Sequence, residues 1–146
     1  MKNNEVKRRF KMAKGKYFYN RPRTVCVGID AVSAGSTTEL PVFVAPFRCK
    51  ITKVSIVPSS AITGADTNYM TLGFKNKGGS GSGTAVMASQ AFTSGNDVSA
   101  HDEFTFGESV VNNTLNKGDV ISFYKAESGT GMDMPALLAK IEYIRV

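Results

Sequence analysis

From Val25 onward, short apolar stretches alternate with polar, turn-forming segments at intervals of about ten residues, the pattern of a chain built from short antiparallel strands. Eight strands are predicted: Val25 to Asp30, Thr37 to Val44, Cys49 to Val57, Asn68 to Lys77, Thr84 to Phe92, Asp102 to Val110, Asp119 to Ala126 and Ala136 to Arg145. The segments between them, among them PSSAITGADT, GGSGSG, TSGNDVSAH and NNTLNKG, are rich in residues that favour turns or tolerate positive φ. Period two is clearest where Met70, Leu72 and Phe74 alternate with Thr71, Gly73 and Lys75, and where Leu137, Ala139, Ile141 and Tyr143 alternate with Leu138, Lys140, Glu142 and Ile144. One face of each strand is therefore core. Phe104 with Phe106, and Ile121 with Phe123, add aromatic and aliphatic bulk, in the same layer or the facing one.

No segment of the body has the periodicity of a three-turn helix. Eight short strands without crossover helices predict an all-β fold, an eight-stranded antiparallel sandwich connected as a jelly roll. An immunoglobulin-like order lacks its Cys, Trp, Cys framework, because the chain has no tryptophan. At 146 residues the chain suits one domain, and 42% apolar with 21% charged residues is an ordinary globular balance. The longest apolar run, Leu40 to Phe47, contains two prolines and falls far short of a membrane span of about 20 residues. The N-terminus lacks the apolar stretch of a secretory signal, so the chain is expected to remain in the compartment of its synthesis.

Charge divides the chain in two. Residues 1 to 24 carry nine Lys or Arg against the single acid Glu5, a balance of +8, whereas residues 25 to 146 carry nine basic and eleven acidic residues, a balance of −2. The predicted organisation is a basic N-terminal arm, 1–24, and a β-sandwich body, 25–146. One reading of the arm is a solvated basic leader. Its apolar content supports another, since Phe10, Met12, Tyr17, Phe18 and Tyr19 interrupt the charges as contacts for a partner would. Val6, Phe10 and Ala13 sit at helical spacing, and Gly15 would end any such turn. The candidate partner-binding residues are Arg8, Arg9, Phe10, Met12, Tyr17, Phe18, Tyr19, Arg21 and Arg23.

Catalytic and metal chemistry finds little support. Cys26 and Cys49 are the only thiols and His101 the only imidazole, which leaves no zinc ligand set; the two cysteines, each in a predicted strand, are expected to be free. The Gly78 to Gly83 run lacks the Lys and Ser or Thr of a phosphate loop and precedes a strand, so it reads as a hairpin tip. His101, Asp102 and Glu103 are consecutive, and strand neighbours point to opposite faces. Oxygen-bearing turns at Asp66 and Asn68, and at Asn96, Asp97 and Asp102, match no defined calcium loop. No serine lies in a Gly-x-Ser-x-Gly elbow, and Asn112-Asn113-Thr114 is a glycosylation acceptor only in a secretory pathway. No enzyme activity, cofactor or metal is expected.

From about Cys49 to Tyr143, the order KITKVSIVPSSAITGADTNYMTLGFKNKG, FTSGNDVSAHDEFTF and LNKGDVISFYKAESGTGMDMPALLAKIEY resembles the capsid decoration, or cement, proteins of tailed bacteriophages. The resemblance covers about two-thirds of the chain and is strongest in TGADTNY, NKGDVISF and GTGMDMP. It implies a jelly-roll body that sits as a homotrimer on the outer surface of the virion, assembled in the host cytoplasm. Its partners would be the major capsid protein, its own copies and neighbouring decoration trimers. An arm reaching onto a neighbour would add a second attachment at high effective concentration.

Two rival readings remain. A jelly roll with a basic arm is also similar to the shell proteins of small viruses, whose arms neutralise packaged nucleic acid. Such arms are longer and almost purely basic, so the aromatic residues here favour a protein partner over nucleic acid. A host-attachment or sugar-binding head domain is the other, disfavoured by the lack of tryptophan.

Overall fold

The computed structural model describes residues 21–107 and 109–146; the candidate arm residues Arg8, Arg9, Phe10, Met12, Tyr17, Phe18 and Tyr19 lie outside them. The described chain is all-β, with nine strands and no helix: β1 (Arg23–Ile29), β2 (Thr38–Val44), β3 (Cys49–Pro58), β4 (Met70–Gly78), β5 (Ala85–Ala91), β6 (Phe104–Thr105), β7 (Thr114–Leu115), β8 (Val120–Glu127) and β9 (Leu137–Arg145). One sheet runs β1-β9-β3-β6, with β7 also on β3, and the other runs β2-β8-β4-β5, every pairing antiparallel. The pairings are nested along the chain, β1 with β9, β2 with β8, β3 with β6 and β4 with β5.

Alternation decides which side chains fill the space between the sheets. Met70, Leu72 and Phe74 from β4 are fully buried, as are Ile141 from β9 and Ile121 and Phe123 from β8. Phe104 and Phe106 belong to the β6 side and complete a chain of rings across the core. Phe74 meets Phe106 edge-on at 5.4 Å and Phe123 at 5.5 Å, while Phe104 meets Phe106 at 5.3 Å and Phe92 at 5.5 Å.

The sixth predicted strand, Asp102 to Val110, is the main correction. Within it only Phe104–Thr105 is strand, followed by one more main-chain bond to β3 from the Phe106 N–H to the Val54 carbonyl at 3.1 Å, before Gly107 turns the chain at φ 64°. The chain then crosses to the edge of the second sheet, where Val111 donates its N–H to the Met87 carbonyl at 3.1 Å and Asn112 adopts φ 50° while its Nδ2 donates to the Val86 carbonyl at 2.9 Å. It returns as β7, read from sequence as part of a turn, which pairs Thr114 and Leu115 with Lys50 and Cys49. At the other end of the chain, β1 begins at Arg23, so Arg23 and Thr24 belong to the sheet and pair with Tyr143 and Glu142.

A lysine in the core holds one end of the sandwich together. Lys125 on β8 is 1% exposed, and its ammonium donates to the Ser33 and Ser36 carbonyls at 3.1 and 2.9 Å and pairs with the Glu127 carboxylate. Glu127 accepts in turn from the Met132 N–H at 2.8 Å. The β1–β2 and β8–β9 connections are thereby tied to one buried ion pair.

Candidate functional site

The N-terminal segment enters the body beside a cluster of rings and guanidinium groups. β1 pairs with β9 in an order that sets Arg23 opposite Tyr143, and the turn after β2 delivers Phe47 beside both. The Arg23 and Arg145 guanidiniums lie 4.9 and 5.0 Å from the centroid of the Phe47 ring. Tyr143 packs on Phe47 at 6.2 Å and on buried Phe43 at 5.0 Å, connecting this surface to the core. Stacking a cation on a ring is worth about 0.5–1 kcal/mol at exposed sites. Of the nine candidate residues, the structure thus places Arg23 against Phe47 and leaves Arg21 exposed ahead of β1.

Sequence reasoning missed Phe47, Arg145 and Tyr143 as companions of Arg23. Phe47 sits in the segment APFR, between the predicted strands Thr37 to Val44 and Cys49 to Val57, and Arg145 is nearly the full length of the body from Arg23. The only available signal was an aromatic residue in a turn, where solvation alone does not call for one.

The outward faces carry two further clusters. On the β2-β8-β4 face, Glu39 accepts from Lys75 and Ser122, each at 2.8 Å, and pairs with Lys77 at 2.9 Å. These lysines, Lys75 first, hold its carboxyl down at about 2 against a usual 4.5, with burial working in the opposite direction. On the β9-β3 face, Glu103 accepts from Lys53 at 2.9 Å, Ser55 at 2.6 Å and Lys140 at 3.2 Å, and its carboxyl is likewise held at about 2, chiefly by Lys53. Glu142 also engages Lys140 at 3.0 Å, and Glu142 followed by Glu103 holds the Lys140 ammonium above its usual range. Much of the body's charge is therefore satisfied internally.

The other motifs serve the scaffold. Gly78 to Gly83 forms the β4–β5 hairpin tip, closed by a Gly83 N–H to Lys77 carbonyl bond of 2.9 Å. Asp97 accepts from the Gly64 N–H and Asn68 from the Thr130 N–H, so both tie loops together. Cys26 is exposed on β1 and Cys49 buried on β3, both free; burial, and secondarily Asp119, pushes the Cys49 thiol up. His101 has φ 65° and lines an open depression of 470 Å³ with Gly28, Val57 and Leu138; it is tied in by its own N–H to the Pro58 carbonyl. Among the described residues, no three of His, Cys, Asp and Glu gather as metal ligands, and no helix is long and apolar enough to cross a membrane.

No protein-family model matches the sequence, and comparison with curated proteins gives no match. Among solved structures, the chain is similar to one from the infectious bursal disease virus Gx strain, at TM-score 0.37 and 12% identity over 87% of this chain and 33% of that one. It is also similar to the Drosophila NLP core, a structure described in terms of pentamer formation and histone binding, at TM-score 0.36 and 12% identity over 84% of this chain and 98% of that one. A chain from the Gt strain of the same virus gives TM-score 0.33 and 12% identity over 86% and 37%. This chain thus spans about a third of the length of the two viral chains.

Proposed function

We propose that this chain is a structural, non-enzymatic virion protein whose jelly-roll body binds the outer surface of a phage capsid and cements adjacent capsomers, as a homotrimer with its N-terminal arm reaching a neighbour. The carrying observation is the junction of arm and body. Residues 1–22, of charge +7 and with five larger apolar residues, lead directly into an edge strand whose first residue, Arg23, is stacked on Phe47. An arm fixed at its root delivers its contacts at high effective concentration to whatever the body touches.

The nested strand order supports the jelly-roll assignment, since double-sheet jelly rolls wind a long hairpin into two four-stranded layers. The body's near-neutral balance and its internally paired glutamates favour a surface that meets protein. In this reading the major capsid protein, sister copies and neighbouring trimers are the partners, and the capsid exterior is the location.

The test is electron microscopy of expanded heads lacking decoration, mixed with the full chain. Density at three-fold positions is expected. Failure to bind such heads, together with tight DNA binding that weakens steeply with salt, would instead support a genome-binding arm.

A further inference from the structure

The four sheet edges are not alike. β6 and β7 are two residues each, β2 contains Pro41 and a register shift beside it, and the edge of β5 receives the Val111 N–H. Each is protected in a way that discourages strand addition. β1 has no such protection: its sequence RTVCVGI contains no proline or lysine, and its seven residues pair with β9 without a register shift.

Hydrogen-bond parity identifies the main-chain groups on the outer edge of β1. The Val54 carbonyl accepts from the Phe106 N–H on the β6 side of β3, so by alternation Ser55 addresses Lys140 of β9. Ile141 of β9 then addresses Val25 of β1, and Thr24, Cys26 and Gly28 direct their N–H and C=O groups away from the sheet. Among the described residues nothing pairs with them there.

We propose that this edge is a self-pairing surface, on which β1 of a second copy adds antiparallel about a two-fold axis through Cys26. That register sets Cys26 against Cys26 and Thr24 against the second copy's Gly28, satisfying every N–H and C=O of Thr24, Cys26 and Gly28 on both copies. Moving the axis to Val25 would instead set Gly28 against Pro22, which has no N–H to give. The side chains agree with the same register. Val25 faces the second copy's Val27, joining half-buried β-branched residues, and Thr24 faces bare Gly28, where even an added Cβ would meet nothing within 4 Å. At each end, exposed Asp30 of one copy comes opposite Pro22 of the other, between Arg21 and Arg23, so the charges are complementary.

The surface is independent of capsid binding and is tested in solution on the full chain. Amide exchange at Thr24, Cys26 and Gly28 is expected to slow at least about ten-fold between low-micromolar and submillimolar protein, while Val25 and Val27, bonded to β9, are protected throughout. A short bis-maleimide is expected to join two chains at Cys26, since Cys49 is buried. Thr24→Pro removes an outward N–H without touching the β9 ladder, and should abolish both effects while leaving the circular dichroism spectrum unchanged. Concentration-independent protection would assign the edge to the chain's own residues 1–20, and no protection at any concentration would leave it open. Either result overturns the proposal, as would cross-linking that survives Thr24→Pro.

Discussion

Glu39 on β2 and Glu103 just ahead of β6 hold matching positions on the two outward faces: each carboxylate is gripped by two lysines and by the hydroxyl of a serine buried beneath it, Ser122 and Ser55 respectively. Each sheet is thus bound across its outside by one glutamate reaching lysines on other strands. Glu39 links β2 to Lys75 and Lys77 on β4, and Glu103 links the β6 side to Lys53 on β3 and Lys140 on β9.

Acid is expected to loosen both clusters together. Each carboxyl is held at about 2 in the fold against 4.5 ordinarily, so its contribution is complete above about pH 4.5 and fades as pH falls toward 2. Both side chains are about a third exposed, so solvent screening limits the pair to about 1 kcal/mol. Urea unfolding midpoints should fall between pH 6 and pH 3, and Glu39→Gln with Glu103→Gln should flatten that fall. An unchanged pH slope in the double variant would show that other carboxyls govern acid stability.

The buried pair Lys125–Glu127 should respond asymmetrically to substitution. Burial pushes the Lys125 ammonium below its usual range, with Asp133 opposing, and its carbonyl partners and Glu127 compensate that cost. Lys125→Ala leaves Glu127 buried without its cation and is expected to cost about 3–5 kcal/mol, whereas Lys125→Met with Glu127→Gln should recover most of that loss. Gly131→Ala attacks the same junction, since its Cβ would fall on the Glu127 carboxylate and its φ of 79° suits glycine. Chemical denaturation of the three variants ranks them; equal losses for the single and double charge variants would remove the pair's role.

The parts of the fold legible in sequence are those encoded by neighbouring residues. Leu137, Ala139, Ile141 and Tyr143 are buried at period two as expected, and the hairpin at Gly78 to Gly83 follows from local turn chemistry. Lys125 was hidden because a lysine in a strand normally marks the solvent face, and the carbonyls that receive it come from Ser33 and Ser36, far away in sequence. Asp102 to Val110 resembled a strand because Phe104 and Phe106 alternate, yet nothing local shows that the partner edge of β3 is shared with β7. The Arg23–Phe47–Arg145 stack likewise depends on β1 and β9 being neighbours.

Phe106 joins these distant parts and is expected to be among the costliest core positions. It is 1% exposed and contacts Phe74 from the opposite sheet and Phe104 beside it. Phe106→Ala should cost about 3–5 kcal/mol, while Phe106→Leu, which keeps more of the volume, should cost less. Thermal unfolding compares them; a loss under about 1 kcal/mol for the alanine variant would mean that the surrounding rings refill the space.

The proposed clamp and a genome-binding arm require different things of the same N-terminal residues. In a clamp on a protein lattice, Phe10, Tyr17, Phe18 and Tyr19 bury apolar area, worth about 1.5–3 kcal/mol for each ring fully enclosed, and Arg8, Arg9 and Arg21 orient the approach. In a genome-binding arm, affinity follows the number of phosphates neutralised, and log affinity falls with log salt at about −0.9 per duplex phosphate. Arg23 supplies a third arm of the comparison, because its stack on Phe47 fixes where the segment leaves the body. Phe18→Ala and Tyr19→Ala are therefore expected to weaken binding to expanded capsids at least as much as Arg8→Ala and Arg9→Ala, with a shallow salt dependence throughout. Arg23→Ala should weaken attachment less than the loss of either ring, since the β1–β9 ladder still holds the root in place. Capsid co-sedimentation across a salt series, run beside DNA binding, measures all five variants; a steep salt slope set by the arginines, with the ring substitutions silent, would give the arm to nucleic acid.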